Sequence, residues 1–222
     1  ASYGEGGGGG IRIESGTVEI TECVFSNNAD YPGGEGGGAI HFSESNPTLT
    51  DCTFTNNTAN GSGALRLDSN SNAIITNCAF NSNSAGTSDH GGAIYAHNSE
   101  AAFLNCTFSD NLANLGGAII TFAKPVYIDS CFFGNNTASS GGALFLNENY
   151  AYVSNTEFCN NNPDDWDDSV GDEFIDEGGN TFDVACDCPD INGDGIIDPN
   201  DIMAIIWAWG TCNGCSEDLN DD

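Results

Sequence analysis

The sequence has very little positive charge. Only 3 of its 222 residues are Lys or Arg, against 33 Asp and Glu, which gives a formal net charge of −30 at pH 7. Nucleic acids and anionic membrane surfaces are bound mainly through Lys and Arg, so the composition argues against both as partners. Of the 33 acidic residues, 18 fall in residues 164–222. This asymmetry indicates a cation-binding tail attached to a more neutral body.

Long apolar runs are also missing, since no segment approaches the length of about 18 apolar residues that a membrane-spanning helix needs. The chain is nevertheless 39% apolar and contains 13 Phe, which is enough to build a core and argues against disorder. It contains 10 Cys without an obvious zinc-binding pattern, which is many for an intracellular protein and favours an oxidising compartment. We therefore expect a secreted protein, located outside the cell or at its surface.

The sequence repeats the motif Cys-x-Phe-x-x-Asn, with spacings of 29, 26, 28, 25 and 25 residues between successive Phe. A second motif, Gly-Gly-Ala followed by alternating apolar residues, lies between the copies, as in Gly116-Gly117-Ala118-Ile119. A unit of this length with turn residues and no helical period fits one coil of a solenoid. Equivalent residues of successive coils then stack at roughly 4.8 Å.

The stacking predicts columns of like residues along the solenoid. The first Ile or Leu after Gly-Gly-Ala forms one apolar column, and the residue two positions later forms a second, mostly apolar one. The Asn of each motif forms a structural ladder that caps the turns. Its members are Asn28, Asn57, Asn83, Asn111, Asn136 and Asn161.

The chain resembles the right-handed parallel β-helix repeats with Gly-Gly-Ala-Ile and Phe-x-x-Asn motifs that occur in secreted and outer-membrane bacterial proteins. The resemblance covers residues 10 to 161 and implies an all-β parallel β-helix of six to seven coils, which we place in residues 1–185. The same fold carries polysaccharide lyases, adhesins and structural proteins, so the resemblance implies no single function.

Five repeats begin with Cys, and these residues stack in one inward column. Stacked neighbours fall within the Cα separation that a disulfide allows. A buried Cys also packs as a small apolar residue, and we favour mostly free, buried thiols.

The C-terminal residues 186–222 carry a candidate Ca²⁺ loop. Residues with side-chain oxygens occupy positions 1, 3, 5, 9 and 12 of the loop, and position 7 offers a backbone carbonyl. This is the spacing with which a loop surrounds a hard cation such as Ca²⁺. These residues are Asp190, Asn192, Asp194, Ile196 (carbonyl), Asp198 and Asp201. The twelfth position is Asp rather than the Glu of an EF-hand, which resembles a dockerin loop. Asp218, Asn220 and Asp222 begin the same series again. We therefore predict a small dockerin-like, Ca²⁺-binding loop–helix module.

The tail around this loop resembles those of large secreted proteins from planctomycete-like marine bacteria. Four Cys bracket the loop and are candidates for one or two disulfides, whose pairing stays open among three arrangements. They are Cys186, Cys188, Cys212 and Cys215. A zinc site is disfavoured because the spacing is uneven and the nearby ligands are oxygens.

An outward column two residues after the motif alanine contains most of the basic side chains. It begins Arg12, His41, Arg66, Tyr95, and these four could bind a sugar or an acidic surface. The alternative, which we favour, is that Arg12–Glu14 and Arg66–Asp68 are cross-ladder ion pairs.

Four sequons give a weaker glycosylation hypothesis at Asn56, Asn60, Asn105 and Asn135.

These patterns favour a structural or adhesive role over catalysis. A lyase needs a basic residue to take a proton beside a Ca²⁺-bound uronate, and Lys and Arg occur only at Arg12, Arg66 and Lys124. The leading hypothesis is Ca²⁺-dependent docking, either head-to-tail with further copies in a filament or matrix or with a cohesin-like protein. The alternative is a carbohydrate-binding adhesin module that docks a cohesin-like partner and contacts extracellular polysaccharide; a polysaccharide lyase is the third option.

Overall fold

The fold is an all-β parallel solenoid, seen in a computed structural model that describes residues 8–30, 34–86, 89–168 and 173–184. Three seven-stranded sheets run along it, and each coil contributes one strand to each sheet. The prediction of a parallel β-helix with six to seven coils is therefore confirmed. The described residues include no helix. None of them forms a helix long and apolar enough to cross a membrane.

Sheet A includes the strands that follow the Gly-Gly-Ala motifs. They are β1 (Ile11–Ile13), β4 (Ile40–Ser43), β7 (Leu65–Asp68), β10 (Ile94–His97), β13 (Ile119–Phe122), β16 (Leu144–Asn147) and β19 (Trp166–Asp168).

Sheet B follows in each coil. Its strands are β2 (Gly16–Thr21), β5 (Ser45–Thr50), β8 (Ala73–Thr76), β11 (Ala101–Leu104), β14 (Val126–Asp129), β17 (Tyr150–Ser154) and β20 (Glu173–Gly178).

Sheet C contains the repeated Phe. Its strands are β3 (Val24–Ser26), β6 (Thr53–Thr55), β9 (Ala79–Asn81), β12 (Thr107–Ser109), β15 (Phe132–Gly134), β18 (Glu157–Cys159) and β21 (Thr181–Val184).

The two predicted apolar columns of sheet A lie in register. The first runs Ile11, Ile40, Leu65, Ile94, Ile119, Leu144. The second runs Ile13, Phe42, Leu67, Ala96, Thr121, Leu146. In the five later coils both columns are buried, because alternate side chains of each strand point into the solenoid.

The Phe of sheet C form a continuous stack through the core. Adjacent rings from Phe25 to Phe158 have centroids 4.7 to 5.0 Å apart and lie within 7° of parallel. In the last coil, Trp166, Phe174 and Phe182 pack against Phe158 and against one another. Larger aromatic rings thus replace the aliphatic columns at this end of the described solenoid.

Two corners of each coil use left-handed backbone conformations that the repeat motif alone does not predict. One precedes the Cys column and the other precedes the Asn ladder, and their φ values lie between 47° and 57°. Asn, Asp, Ser and Glu occupy these corners rather than Gly. Asn and Asp tolerate this region better than other non-glycine residues, which explains why Asn recurs at these corners.

The second Gly of the Gly-Gly-Ala motif is required by close approach between coils. A Cβ on Gly117 would lie 2.0 Å from the carbonyl oxygen of Gly142 in the next coil, and one on Gly92 would lie 1.9 Å from that of Gly117. A side chain therefore cannot fit here without separating the coils.

Candidate binding groove on sheet A

The Asn ladder is a hydrogen-bonded structure inside the solenoid. The backbone N and Nδ2 of Asn83 both donate to Oδ1 of Asn111, and Nδ2 of Asn111 donates to the carbonyl of Phe80. The same arrangement joins all six predicted asparagines. Asn57, Asn83, Asn111 and Asn136 are at most 1% exposed, so this column caps turns and offers no binding surface.

The Cys column is likewise structural. Cys23, Cys52, Cys78, Cys106 and Cys131 are free, and all but Cys23 are buried, as the sequence favoured. Burial raises the pKa of Cys78 to about 12. A hydrogen bond with Cys131, together with burial, raises the pKa of Cys106 as well. Cys78 and Cys106 therefore remain protonated at neutral pH.

The outer face of sheet A places the predicted basic column in register. Arg12, His41, Arg66 and Tyr95 occupy equivalent register positions on the successive parallel strands β1, β4, β7 and β10. Beside this column lies an open groove of about 400 Å³. It is lined by Arg12, Glu35, His41, Ser43, Arg66, Asp68, Ser69 and His97.

Asp68, at the end of β7, organises the groove. Its Oδ2 accepts hydrogen bonds from His41 Nε2 at 3.0 Å and from Arg66 Nε at 2.6 Å, and Arg66 Nη1 also donates to the carbonyl of Glu35. Its Oδ1 is buried and has no hydrogen-bond partner among the described residues; His97 Nδ1 lies 4.0 Å away. The carboxylate thus has one satisfied and one unsatisfied oxygen.

The charge state of Asp68 is set by opposing effects. Burial alone raises the pKa of this carboxyl, but the hydrogen bond from His41 and the adjacent Arg66 charge outweigh it, so the pKa is lower than usual. Asp68 is therefore an acceptor at neutral pH, and its side chain is only 15% exposed.

Tyr95 lies beside the groove rather than in its lining. Its ring lies 4.6 Å from Cζ of Arg66 in a cation–π contact, and it also contacts the rings of His90, His97 and Phe122. Burial raises the pKa of its hydroxyl. Tyr95 therefore supports Arg66 from the side.

Both predicted ion pairs form, but each lies within one coil and does not cross the ladder. Arg12–Glu14 and Arg66–Asp68 each join residues two positions apart on one chain segment, at 3.0 and 2.6 Å. This arrangement follows from the pleat, because residues i and i+2 project from the same face of a strand. The sequence assigned no binding role to Asp68, Ser43 or His97, although the next outward column contains them.

The groove collects most of the chain's basic side chains. The sequence has 3 Lys plus Arg and 3 His. Both Arg, together with His41 and His97, line this groove, and the third His, His90, contacts Tyr95 at its edge. In a protein of net charge −30 such a concentration of donors marks this face as a candidate binding surface.

Several predicted sites lie elsewhere. The Ca²⁺ ligands of residues 190–201 and 218–222 and the four candidate disulfide Cys of the tail lie outside the described residues. Within residues 8–168 and 173–184, apart from the gaps at 31–33 and 87–88, no group of three or more His, Cys, Asp or Glu could hold a metal ion. Cys159, which the repeat pattern left without a role, is disulfide-bonded.

The four sequon asparagines are exposed, so a modifying enzyme can reach each of them. Asn56, Asn105 and Asn135 occupy left-handed corners, and Asn105 Nδ2 also donates to Asn77 at 2.8 Å. Glycosylation at these positions stays a prediction.

Comparison with known families agrees with this architecture. Residues 2–111 match the family model described as right handed beta helix region. The chain is similar to right-handed β-helix proteins. Residues 105–121, which span one Phe-x-x-Asn and one Gly-Gly-Ala motif, match the Chlamydia polymorphic membrane protein repeat. No curated protein and no solved structure gives a significant match.

Proposed function

We propose that this chain is a secreted or cell-surface structural and adhesive protein without catalytic activity. The observation that carries the proposal is the continuous filling of the solenoid by ladders, seen most clearly in the Phe stack at 4.7 to 5.0 Å. Inward positions are committed to packing, so contacts with other molecules fall on the outer faces and at the ends.

Two further observations support an extracellular location. The net charge of −30 suits a surface that meets bulk cations, and the short match to a polymorphic membrane protein repeat is consistent with display at a cell surface. Free Cys in the solenoid do not contradict this location, because burial protects the four inner thiols from oxidation.

In this proposal the acidic tail provides docking. The spacing of Asp190, Asn192, Asp194 and Asp198 supports one bound Ca²⁺, and ordering of the tail by the ion creates the contact surface for the next copy or for a cohesin-like partner. Open strand edges at the ends of solenoids favour such chain-to-chain contacts.

The test is particle size by light scattering and negative-stain microscopy, in millimolar Ca²⁺ and again after chelation. We expect oligomers or fibres that dissolve on chelation and that do not form in Asp190→Asn/Asp194→Asn. Asp129→Asn, which removes one acidic charge at the end of β14 in sheet B, serves as the control. Monomers under both conditions would refute self-assembly, and unsaturated products from polyuronate, detected by ultraviolet absorbance, would refute the non-catalytic role.

A further inference from the structure

We propose that the groove on sheet A binds a neutral, hydroxyl-rich ligand, the face of an uncharged oligosaccharide, with Asp68 as its central hydrogen-bond acceptor. This inference goes beyond the structural role and does not depend on the calcium-binding tail.

The charges of the groove select against ions of either sign. Of its lining residues, Arg12 and Arg66 are positive and Glu35 and Asp68 are negative, so the formal charges cancel when the His are neutral. An anionic ligand would meet these carboxylates within a protein of net charge −30, and a metal cation would meet two guanidinium groups. A neutral molecule avoids both penalties.

The unsatisfied oxygen of Asp68 specifies what the ligand must provide. Oδ1 is buried without a hydrogen bond from the described residues, whereas Oδ2 already accepts from His41 and Arg66. A buried carboxylate oxygen without a donor is unfavourable, so a ligand hydroxyl that donates to it is bound strongly. His97, which lies 4.0 Å from Oδ1, has a side chain 53% exposed and therefore has room to move aside.

The rest of the lining complements a polyol. Ser43 and Ser69 can each donate and accept, and the Arg side chains donate to hydroxyl oxygens. A few polar groups of both kinds around a concave surface are typical of a small-ligand site.

The site is also preorganised by rigid elements. Asp68 and Arg66 lie on β7, between β4 and β10, so their backbones are fixed in the ladder. Arg66 is held on three sides, by Asp68, by the carbonyl of Glu35 and by the ring of Tyr95. Little side-chain entropy remains to be lost on binding.

The test is calorimetric titration of the full chain with cellohexaose, maltohexaose, xylohexaose and chitohexaose, and with oligogalacturonate as the charged comparison. We expect saturable binding of at least one neutral oligosaccharide and none of the uronate. Asp68→Asn should weaken binding by roughly ten-fold or more, as expected for loss of a charge-assisted hydrogen bond. Tyr95→Ala should weaken it through the loss of support for Arg66.

Matched controls lie on sheet B. Asp129→Asn changes a carboxylate at the corresponding strand end, and Tyr127→Ala removes an exposed, stacked tyrosine; neither should alter affinity. Because Asp68→Asn could disturb folding, Ser43→Trp provides a second variant that fills the groove from a partly exposed position on β4. It should abolish binding with an unchanged melting temperature.

Three results would overturn the proposal. They are the absence of binding to every neutral oligosaccharide, selective binding of the uronate, and binding that survives both Asp68→Asn and Ser43→Trp. None of them bears on the calcium-dependent assembly, which is measured separately by particle size.

Discussion

Asn83 and Asn111 are joined by two hydrogen bonds, since the backbone N and the Nδ2 of Asn83 both donate to Oδ1 of Asn111, at 3.0 and 3.1 Å. One amide oxygen thus caps the backbone and the side chain of its neighbour. Repeated from Asn28 to Asn161, this contact links six successive coils and makes each asparagine depend on the next.

Asn111→Ala should lower the free energy of unfolding by about 3 kcal/mol, because it leaves the buried N–H of Asn83 and the carbonyl of Phe80 without partners. Urea denaturation followed by circular dichroism measures the change. The control is Asn28→Ala at the half-buried first position of the ladder, where a smaller loss is expected. Equal losses at the two positions would contradict the expectation that burial increases the contribution of a ladder asparagine.

Gly117→Ala should destabilise the solenoid by at least about 3 kcal/mol, because the new Cβ would lie 2.0 Å from a backbone oxygen of the next coil. Gly86→Ala is the matched control. Gly86 has a φ of 77° but nothing within 4 Å of its Cβ position, so only backbone strain of about 1 to 2 kcal/mol is expected. Similar melting temperatures for the two variants would contradict the close packing of the coils.

The thiol of Cys78 should resist alkylation in the folded protein. Burial raises the pKa of Cys78 to about 12, whereas the same thiol in the unfolded chain ionises near its ordinary value of about 8.5. The unfolded state therefore loses protons first, and stability should fall as the pH rises from about 8.5 towards 12. Iodoacetamide labelling with peptide mass spectrometry should modify Cys23 before Cys78, and rapid native labelling of Cys78 would contradict its burial.

Asp68 should contribute to stability in a pH-dependent way. Its pKa is lowered in the folded protein by His41 and Arg66 despite burial, so protonation favours the unfolded chain. This contribution is complete above the ordinary carboxyl pKa of about 3.9 and is lost as the pH falls through the lower, folded value. Melting temperatures of the wild type and Asp68→Asn should differ at pH 7 and converge in strong acid. A melting-temperature difference that does not change with pH would show that ionisation of Asp68 is not the cause.

Much of the fold could be predicted from the sequence, because a solenoid converts a linear repeat directly into a spatial column. The positions of Ile40 and Leu65, or of Phe54 and Phe80, are fixed relative to each other by one coil of chain. The left-handed corners at residues such as Asn77 and Asn105 were not predicted, since exposed Asn and Asp occur in many turn types.

The candidate site was predicted only in part. Arg12, His41 and Arg66 were placed on one outer face by periodicity alone, and the register of β1, β4 and β7 agrees. The role of Asp68 depends on distances of 2.6 and 3.0 Å to two side chains, one of them 27 residues away, and periodicity does not specify rotamers. Glu35 lies outside the repeat pattern, and its carbonyl reaches Arg66 through a local loop conformation.

The sequence by itself determined the repeat length, the inward columns and the acidic composition of the tail, because each of these depends only on residue type and spacing. The tertiary structure alone decided which oxygen of Asp68 is satisfied, that Tyr95 supports Arg66 beside the groove, and that Gly117 cannot carry a side chain. These features depend on how adjacent coils approach one another in three dimensions, and a change of less than 1 Å makes or breaks the contacts that define them.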